Sequence, residues 1–326
     1  MAGGTERILK RRIKSVQSTK KITRAMELIA ASRIVRAQQR VAAARPYSDE
    51  ITKVIENLAA GGAGLSHPLL EEKAEVRTVG YVVITADRGL AGAYNASVIR
   101  AAERSLKRQQ ADGKDYSLVL VGKKGLSYFR YRNYKIDASF EGMSDQPTYE
   151  DARQVAAKVI EAYEEGRVDR VELVFTRFLS VGSQRPVVHR FIPLDRGAIE
   201  EKTEAHEGPR ADYEFEPEPA EILSRLLPRY VEARLFSAML DAAASEHAAR
   251  QRAMKAATDN AEDLITRLSR QMNRARQDAI TTEIMEIVGG AEALRQGKSD
   301  EKDYFVDTVV SRDVLPDQID PSIRRP

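Results

Sequence analysis

The sequence predicts an α/β protein in which two long helices at the chain ends form a coiled coil beside a central α/β domain. Residues 229–288 contain no glycine or proline and are rich in residues that favour helix. Residues 5–45, bounded by Gly4 and Pro46, form a second such stretch. Between them, short apolar runs alternate with helical patterns, which is typical of α/β layers.

The first long helix is assigned to residues 1–60. Its apolar residues recur in steps of three and four, which places each set on one helical face. Pro46 predicts a kink or a break, and the apolar pattern then resumes at residues 51–58. A glycine-rich loop signal at residues 61–64 ends the helix. The two sets of apolar residues are Ile22, Met26 and Ile29, and Ile34, Ala37, Val41 and Ala44.

The middle of the chain, residues 75–195, is predicted to be the α/β domain. Asn95 is a candidate N-cap for a helix that runs to about Gln109, and a second helix is predicted at residues 149–165. Gly182-Ser183 predicts a hairpin turn. The predicted strands are residues 79–84, 118–121, 171–175 and 187–192.

An acidic loop is predicted at residues 196–221, which hold three prolines. Residues 195–221 carry ten carboxylates against three basic side chains. The second long helix is assigned to residues 222–290 and is predicted to end at Gly289-Gly290. Residues 291–326 form an extension, and for its final segment, which begins at Tyr304 after a polar stretch, the sequence leaves a short strand and a tail as alternatives.

The apolar seam of the second long helix has alternating steps of four and three and unusually small side chains. This spacing favours a left-handed supercoil with a partner, and the first long helix is the candidate partner within the chain. At about 1.5 Å per residue, residues 229–288 would span roughly 90 Å as one helix. The seam residues are Val231, Leu235, Ala238, Ala242, Ser245 and Ala249.

Composition excludes several classes of site. The chain has no cysteine, so disulfides, thiolate metal sites and cysteine nucleophiles are excluded. The chain has no run of 18 apolar residues, so no membrane span is predicted. Residues 1–45 carry 12 basic side chains against two carboxylates, a charge that suits nucleic acid or an acidic protein surface.

No common catalytic or metal-binding motif is present. Residues 122–125 (GKKG) follow a predicted strand but lack the spacing of a phosphate-binding loop, and residues 87–92 (DRGLAG) lack GxGxxG spacing. Both are interpreted as structural turns. His247 is interpreted as a surface or seam residue of the second long helix, and the other histidines form no metal-like cluster. We therefore expect no bound cofactor or metal.

Two other functions remain as alternatives. A coiled-coil protein could bind nucleic acid through residues 10–12 and 20–21, although no aromatic residue interleaves these basic side chains. A nucleotide-dependent α/β enzyme with helical arms would bind a dinucleotide in its middle domain. Neither alternative explains the motifs at the two chain ends.

Those terminal motifs resemble one family, the γ subunits of F-type ATP synthase. The N-terminal part of the resemblance is residues 12–26 (RIKSVQSTKKITRAM) and continues through residues 30–32. The central residues 87–90 (DRGL) also match. The C-terminal part comprises residues 244–250 (ASEHAAR), 256–261 (AATDNA), 273–277 (NRARQ), 280–283 (ITTE, in which Thr282 is not part of the match) and 286–290 (EIVGG).

The resemblance implies an antiparallel coiled coil of the two terminal helices with a central Rossmann-like α/β domain. It implies a non-catalytic rotor shaft that couples proton-driven rotation of the membrane c ring to conformational changes of the catalytic β subunits during ATP synthesis. The implied partners are three α and three β subunits, the ε subunit and the c ring, without nucleic acid. The implied location is the cytoplasmic face of a bacterial plasma membrane, where the chain is peripheral.

The resemblance also implies contact residues. Met26, Arg276, Gln277, Thr281 and Glu283 match positions that contact β subunits. Arginine offers a rigid fork of donors that grips carboxylates, and a methionine side chain adapts to changing surfaces. A short match, Phe215 and Glu216, implies a contact with the c ring.

The extension at residues 291–326 departs from the family, whose members usually stop soon after the Gly-Gly pair. Its position beside the rotating tip motivates the hypothesis that it limits ATP hydrolysis.

Overall fold

The computed structural model describes residues 2–60, 67–194 and 218–309. The chain divides into two compact units, one of Thr19–Asn260 and one of Met1–Ser18 with Ala261–Pro326. The elements in chain order are α1 (Ala2–Ala60), a 3₁₀ turn (Pro68–Leu70), β1 (Thr78–Ile84), α2 (Tyr94–Ala111), β2 (Asp115–Val121), α3 (Lys123–Tyr131), β3 (Ala138–Phe140), α4 (Tyr149–Glu164), β4 (Arg170–Phe178), β5 (Gln184–Ile192) and α5 (Pro219–Val309).

The larger unit contains a five-stranded sheet with the order β3-β2-β1-β4-β5. The first four strands in this order are parallel, and β5 pairs antiparallel with β4 through the hairpin predicted at Gly182-Ser183. Side chains of β1 alternate between two buried clusters: Val82 and Ile84 face one, and Tyr81 and Val83 face the other. The sheet is therefore covered on both faces, as a parallel sheet requires.

Each face of the sheet is covered by different helices. The cluster that contains Tyr81 includes residues of α2 and α3. The cluster that contains Val82 includes residues of α4, the last turns of α1 and the first turns of α5, such as Ile55 and Leu235. Both long helices are therefore anchored in the core of the α/β domain by apolar burial.

Within the larger unit, α1 and α5 pair as an antiparallel coiled coil. The Thr23 and Thr258 hydroxyls are hydrogen bonded at 2.8 Å, and further along α1 Ala37 lines a cavity together with Ala243 of α5. Residue numbers therefore rise on one helix as they fall on the other. The predicted coiled coil and α/β domain are confirmed.

The seam of α1 corrects one expectation. Its inward positions recur in steps of four and three, which is the coiled-coil repeat. Ile22 and Ile29, members of one of the two sets predicted to share a helical face, are exposed, and the polar side chains of Thr23 and Glu27 occupy this part of the seam instead. The apolar pattern therefore misses the seam at residues 22–29, whereas Ile34 and Ala37 of the second set do lie in it. The buried seam positions here are Thr23, Glu27, Ala30, Ile34 and Ala37.

The long helices also differ from their expected ends. α1 runs through Pro46 rather than breaking there, and its continuation is held in the core by Ile51, Ile55 and Leu58. α5 begins at Pro219, within the predicted acidic loop, since proline suits the first turn of a helix. The rest of that predicted loop, residues 196–217, lies outside the described residues.

α5 does not end at Gly289-Gly290 but continues to Val309. A glycine ends a helix most readily when it takes a positive φ, and neither of these two glycines does. Strong helix formers at residues 291–295 (AEALR) follow them directly. The described part of the extension is therefore neither a strand nor a loop.

Two shorter features were missed or misplaced. Asn95 lies inside the first turn of α2 rather than before it; its Oδ1 accepts a hydrogen bond from the Ala86 N–H and so ties the turn after β1 to the helix. Strand β3 has only three residues, too few to show an alternating pattern.

Candidate functional site

Four of the expected contact residues lie on exposed surface of α5 in the smaller unit. Arg276, Gln277, Thr281 and Glu283 are all exposed. The Thr281 hydroxyl donates a hydrogen bond to the Gln277 carbonyl at 3.0 Å, which restrains its rotamer. Three of these four side chains therefore keep their polar groups available to a partner, and the fourth keeps its acceptor capacity.

A row of exposed apolar side chains accompanies these polar residues, and the sequence reasoning missed it. From Ile280 onward every described side chain of α5 is exposed, and the large apolar ones are 46–74% exposed. Contiguous exposed apolar surface of this kind marks an interaction site. The sequence does show this row, as apolar residues that continue along the helix beyond the predicted seam. The members are Ile280, Ile284, Met285, Ile287, Val288 and Leu294.

Met26 lies in the larger unit, on α1, and is partly buried. Two apolar side chains on the same side of α1, Ile22 four residues before it and Ile29 three residues after it, are exposed. These two isoleucines lie outside the seam and, with Met26, form a small uncovered apolar surface. Leu28 and Val35 are also exposed but point to the opposite side of the helix from Met26.

Phe215 and Glu216, the expected contact with a c ring, lie outside the described residues.

The carboxyl edge of the sheet is where an α/β protein of this topology would bind a nucleotide. In this protein, side chains of the chain itself accept the hydrogen bonds of the backbone N–H groups at this edge. The Asp87 carboxylate accepts hydrogen bonds from the Lys123 N–H at 3.0 Å and the Ser144 N–H at 3.1 Å. The Thr85 hydroxyl oxygen accepts from the Gly125 N–H at 2.9 Å. The first turn of α3, which could cradle a phosphate, thus binds side chains of the chain itself.

Gly122 shows why this edge is closed. It has φ of 95°, and a Cβ built there would lie 2.1 Å from the Thr85 carbonyl oxygen. The turns after β1 and β2 therefore approach each other too closely for any side chain at this position. The glycines of the GKKG turn serve this close packing, as the structural interpretation expected.

α5 crosses the same edge with a buried ion pair. Arg250 donates to the Glu246 carboxylate at 2.5 Å and to the Gly89 carbonyl at 3.3 Å. Burial raises the pKa of Glu246 to about 7, an effect that Arg250 opposes and that Asp145 and Asp87 reinforce. The pair fixes α5 against the Asp87–Gly92 turn.

His247 belongs to the coiled-coil seam and is only 2% exposed, so the alternative of a surface residue is wrong. Its Nε2 lies 3.3 Å from the Asp145 carbonyl oxygen, and the Asp145 carboxylate forms an ion pair with Arg33 at 2.5 Å. Burial lowers the pKa of His247. The histidine therefore joins α5 to the loop before α4, and Arg33 joins that loop to α1.

Among residues 2–60, 67–194 and 218–309, no group of three or more potential metal ligands comes together. Within the same part of the chain, no helix combines the length and apolar character that crossing a membrane demands.

Comparison with known proteins gives a consistent result. The family model described as ATP synthase matches residues 5–294. The ATP synthase gamma chain of Frankia casuarinae is 52% identical over 90% of this chain and 99% of its own length. Those of Streptomyces coelicolor and Mycolicibacterium smegmatis are each 47% identical over 90% of this chain, and 97% and 99% of their own lengths are covered.

Solved structures share the fold at lower identity. A chain of the Euglena gracilis mitochondrial ATP synthase (OSCP/F1/c-ring, rotational state 3) aligns with a TM-score of 0.61 and 20% identity, covering 91% of this chain and 96% of that one. A chain of the Tetrahymena thermophila mitochondrial ATP synthase central stalk and c ring aligns with a TM-score of 0.55 and 23% identity, covering 72% of this chain and 99% of that one.

Proposed function

The chain belongs to the family of ATP synthase gamma chains, and from this premise we propose that it is the central rotor shaft of an F-type ATP synthase. In this role it couples proton-driven rotation of a membrane c ring to conformational changes of the catalytic β subunits. The observation that carries the proposal is the uncovered apolar surface on α5 from Ile280 to Leu294, which requires a surrounding partner.

The proposed partners are three α and three β subunits around the coiled coil, with the ε subunit and the c ring against the α/β domain. The structural neighbours support this, since they come from the rotor, the central stalk with c ring, and the F1 with c ring of other ATP synthases. The proposed location is the cytoplasmic face of a bacterial plasma membrane, where the chain is peripheral.

The chain itself is proposed to be non-catalytic. The carboxyl edge of its sheet is filled by contacts among Thr85, Asp87 and the first turn of α3. Its buried Glu246 is paired with Arg250 inside the protein. These groups are used for packing, which leaves chemistry to the β subunits.

The proposed mechanism depends on the asymmetry of the coiled coil. Two antiparallel helices with different side chains present a different face to each of three β subunits. Each face favours a different β conformation, so rotation shifts the populations of those conformations and their nucleotide affinities in turn. The shaft needs only differential contacts to do this.

We assign the differential contacts to Met26 on α1 and to Arg276, Gln277, Thr281 and Glu283 on α5. All but Met26 are exposed, and the apolar row beside them supplies adaptable packing. Arg276 can grip carboxylates of successive subunits in several orientations. Phe215 and Glu216 are proposed to contact the c ring.

The test is reconstitution with the α and β subunits of the same organism. ATP hydrolysis is measured with and without this chain, and the complex is sized by chromatography. A stable complex of three α, three β and one copy of this chain, with greatly raised turnover, is expected. Failure to assemble, or ATP turnover by the purified chain alone, would overturn the proposal.

A further inference from the structure

A short segment of α5 is buried on every side. From Ala242 to Ala248 no side chain is more than 3% exposed. A helix in a two-stranded coiled coil buries only one seam, so further elements must cover the rest of this segment. The segment is where the coiled coil meets the α/β domain.

One side of the segment is fastened to β4 and β5. The Ser245 hydroxyl donates to the Thr176 carbonyl at 3.1 Å in the buried interior. Seven residues on, and so on the same side, Arg252 donates to the carbonyls of Val181 at 3.2 Å and Gly182 at 2.7 Å. Its guanidinium also binds the Gln184 side chain.

The other side is fastened to the turn after β1. Arg250 donates to the Gly89 carbonyl at 3.3 Å and is held in place by Glu246, one helical turn earlier. On the same side, Gly92 lies so close to Ala253 that an added Cβ would sit 3.6 Å from the alanine side chain. This contact reaches a different loop from the one that Arg252 holds.

The angular spacing of Arg250 and Arg252 around α5 determines which motion of the helix their contacts oppose. At 3.6 residues per turn, residues two apart point about 200° apart around the helix axis. Arg250 and Arg252 therefore hold α5 from nearly opposite sides. Contacts on both sides together oppose rotation of the helix about its own axis more stiffly than contacts on one side alone.

We propose that Arg250 and Arg252 form a torsional clamp, the joint through which the α/β domain and the coiled coil exchange torque. The proposal rests on the rotor function proposed above and adds the residues that carry the load. Arg252 is the informative member, because it is exposed and can be removed without leaving a buried charge unpaired.

The experiment measures the torsional stiffness of the assembled rotor. The chain has no cysteine, so Tyr131→Cys, at an 84% exposed position on α3, offers a single attachment point for a gold rod within cysteine-free α and β subunits. The complex is fixed to a surface through its β subunits. The angular variance of the rod during catalytic pauses is inversely related to stiffness.

Arg252→Ala is expected to increase this variance about twofold, if the two halves of the clamp contribute equally and independently. Arg252→Lys, which keeps the charge but loses the guanidinium fork, is expected to fall between. Lys255→Ala, which removes another exposed cation of α5, is the matched control and should leave the variance unchanged.

The outcomes separate the two proposals. A wild-type complex that rotates, with the same variance for Arg252→Ala, overturns the clamp alone. A wild-type complex that hydrolyses ATP without turning the rod overturns the rotor function and the clamp together. Should Arg252→Ala fail to assemble, the Arg252→Lys variant decides, and a variance equal to wild type contradicts the clamp.

Discussion

Glu246 is the residue whose environment departs furthest from that of an ordinary glutamate. It is buried, it is held by Arg250, and Asp145, Asp87 and Tyr94 also lie within electrostatic reach. Burial raises its pKa to about 7 from an ordinary value of 4.5. A carboxyl whose pKa is raised on folding stabilises the fold at low pH, below its unfolded pKa, and this contribution is lost as pH rises through the folded pKa.

Glu246→Gln tests this linkage. The variant resembles the protonated form, so the stability of wild type relative to it is expected to fall between about pH 4.5 and pH 7. The total change is about 3 kcal/mol, from a shift of about 2.5 pKa units. Denaturant unfolding of both chains across this range measures it, with the exposed Glu286→Gln on the same helix as control. A difference independent of pH would contradict the account.

Arg276 is predicted to act on the partner rather than on the fold. Because its side chain is exposed, Arg276→Ala is expected to change the free energy of unfolding by less than about 0.5 kcal/mol. In the complete ATP synthase, reconstituted into vesicles with its c ring, it is expected to weaken assembly or the coupling of hydrolysis to proton pumping. Arg270→Ala, at another exposed position on α5, is the control. Unchanged hydrolysis and coupling for Arg276→Ala would count against the assigned contact.

At the scale of elements, α1 shows how polar seam residues hide a coiled coil. Two isoleucines five residues apart on this helix have opposite environments. Ile34 is 3% exposed in the seam, and Ile29 is 54% exposed on the outer surface. Only the structure distinguishes them, because both fit a helical apolar pattern.

This contrast gives a matched prediction. Ile34→Ala is expected to cost about 2–5 kcal/mol of stability through the cavity that it leaves, whereas Ile29→Ala is expected to cost less than about 0.5 kcal/mol. Thermal or denaturant unfolding of the two variants measures the difference. If Ile29 contacts the surrounding ring, Ile29→Ala lowers the affinity for α and β subunits instead. Equal destabilisation by both substitutions would refute the observed seam.

The central strands β1, β2 and β4 were predictable because a strand covered on both faces reads as a short apolar run, whereas the partly exposed edge strand β5 was predicted together with the hairpin turn at Gly182-Ser183. β1, β2, β4 and β5 all contain the residues expected of them and extend by a few polar residues at their ends. The helix ends were not predictable, because Pro219 starts a helix and Gly289-Gly290 does not stop one. In the candidate site, the contact residues on α5 were predicted from the family resemblance. Their exposure, and the apolar row beside them, were found only in the structure.

The continuation of α5 as a helix into the extension allows the hypothesis that the extension limits ATP hydrolysis to be tested by truncation. The family model ends at residue 294, and α5 continues past it to Val309. Removing residues 295–326 is expected to raise ATP hydrolysis by the reconstituted complex, if the extension restrains the tip. A second truncation that removes only residues 310–326 tests whether residues 295–309 are sufficient for the effect. Hydrolysis rates equal to wild type in both truncations would end the hypothesis.

For the whole molecule, the central fact is that one helix both completes the core of the α/β domain and forms half of the coiled coil. α5 packs against the sheet near Leu235 and pairs with α1 near Thr258. The carboxyl edge of the sheet, a ligand site in many α/β proteins, here receives Arg250 of that helix. The fold therefore serves attachment of a rod, which accords with a mechanical role.

The most direct measurement of that role is rotation of this chain inside a ring of its own α and β subunits. A gold rod on Tyr131→Cys is followed by dark-field microscopy after ATP is added to the surface-bound complex. The account predicts rotation in one direction, with three equal steps per turn, one for each β subunit. A complex that assembles and hydrolyses ATP while the rod shows only Brownian fluctuation would contradict it.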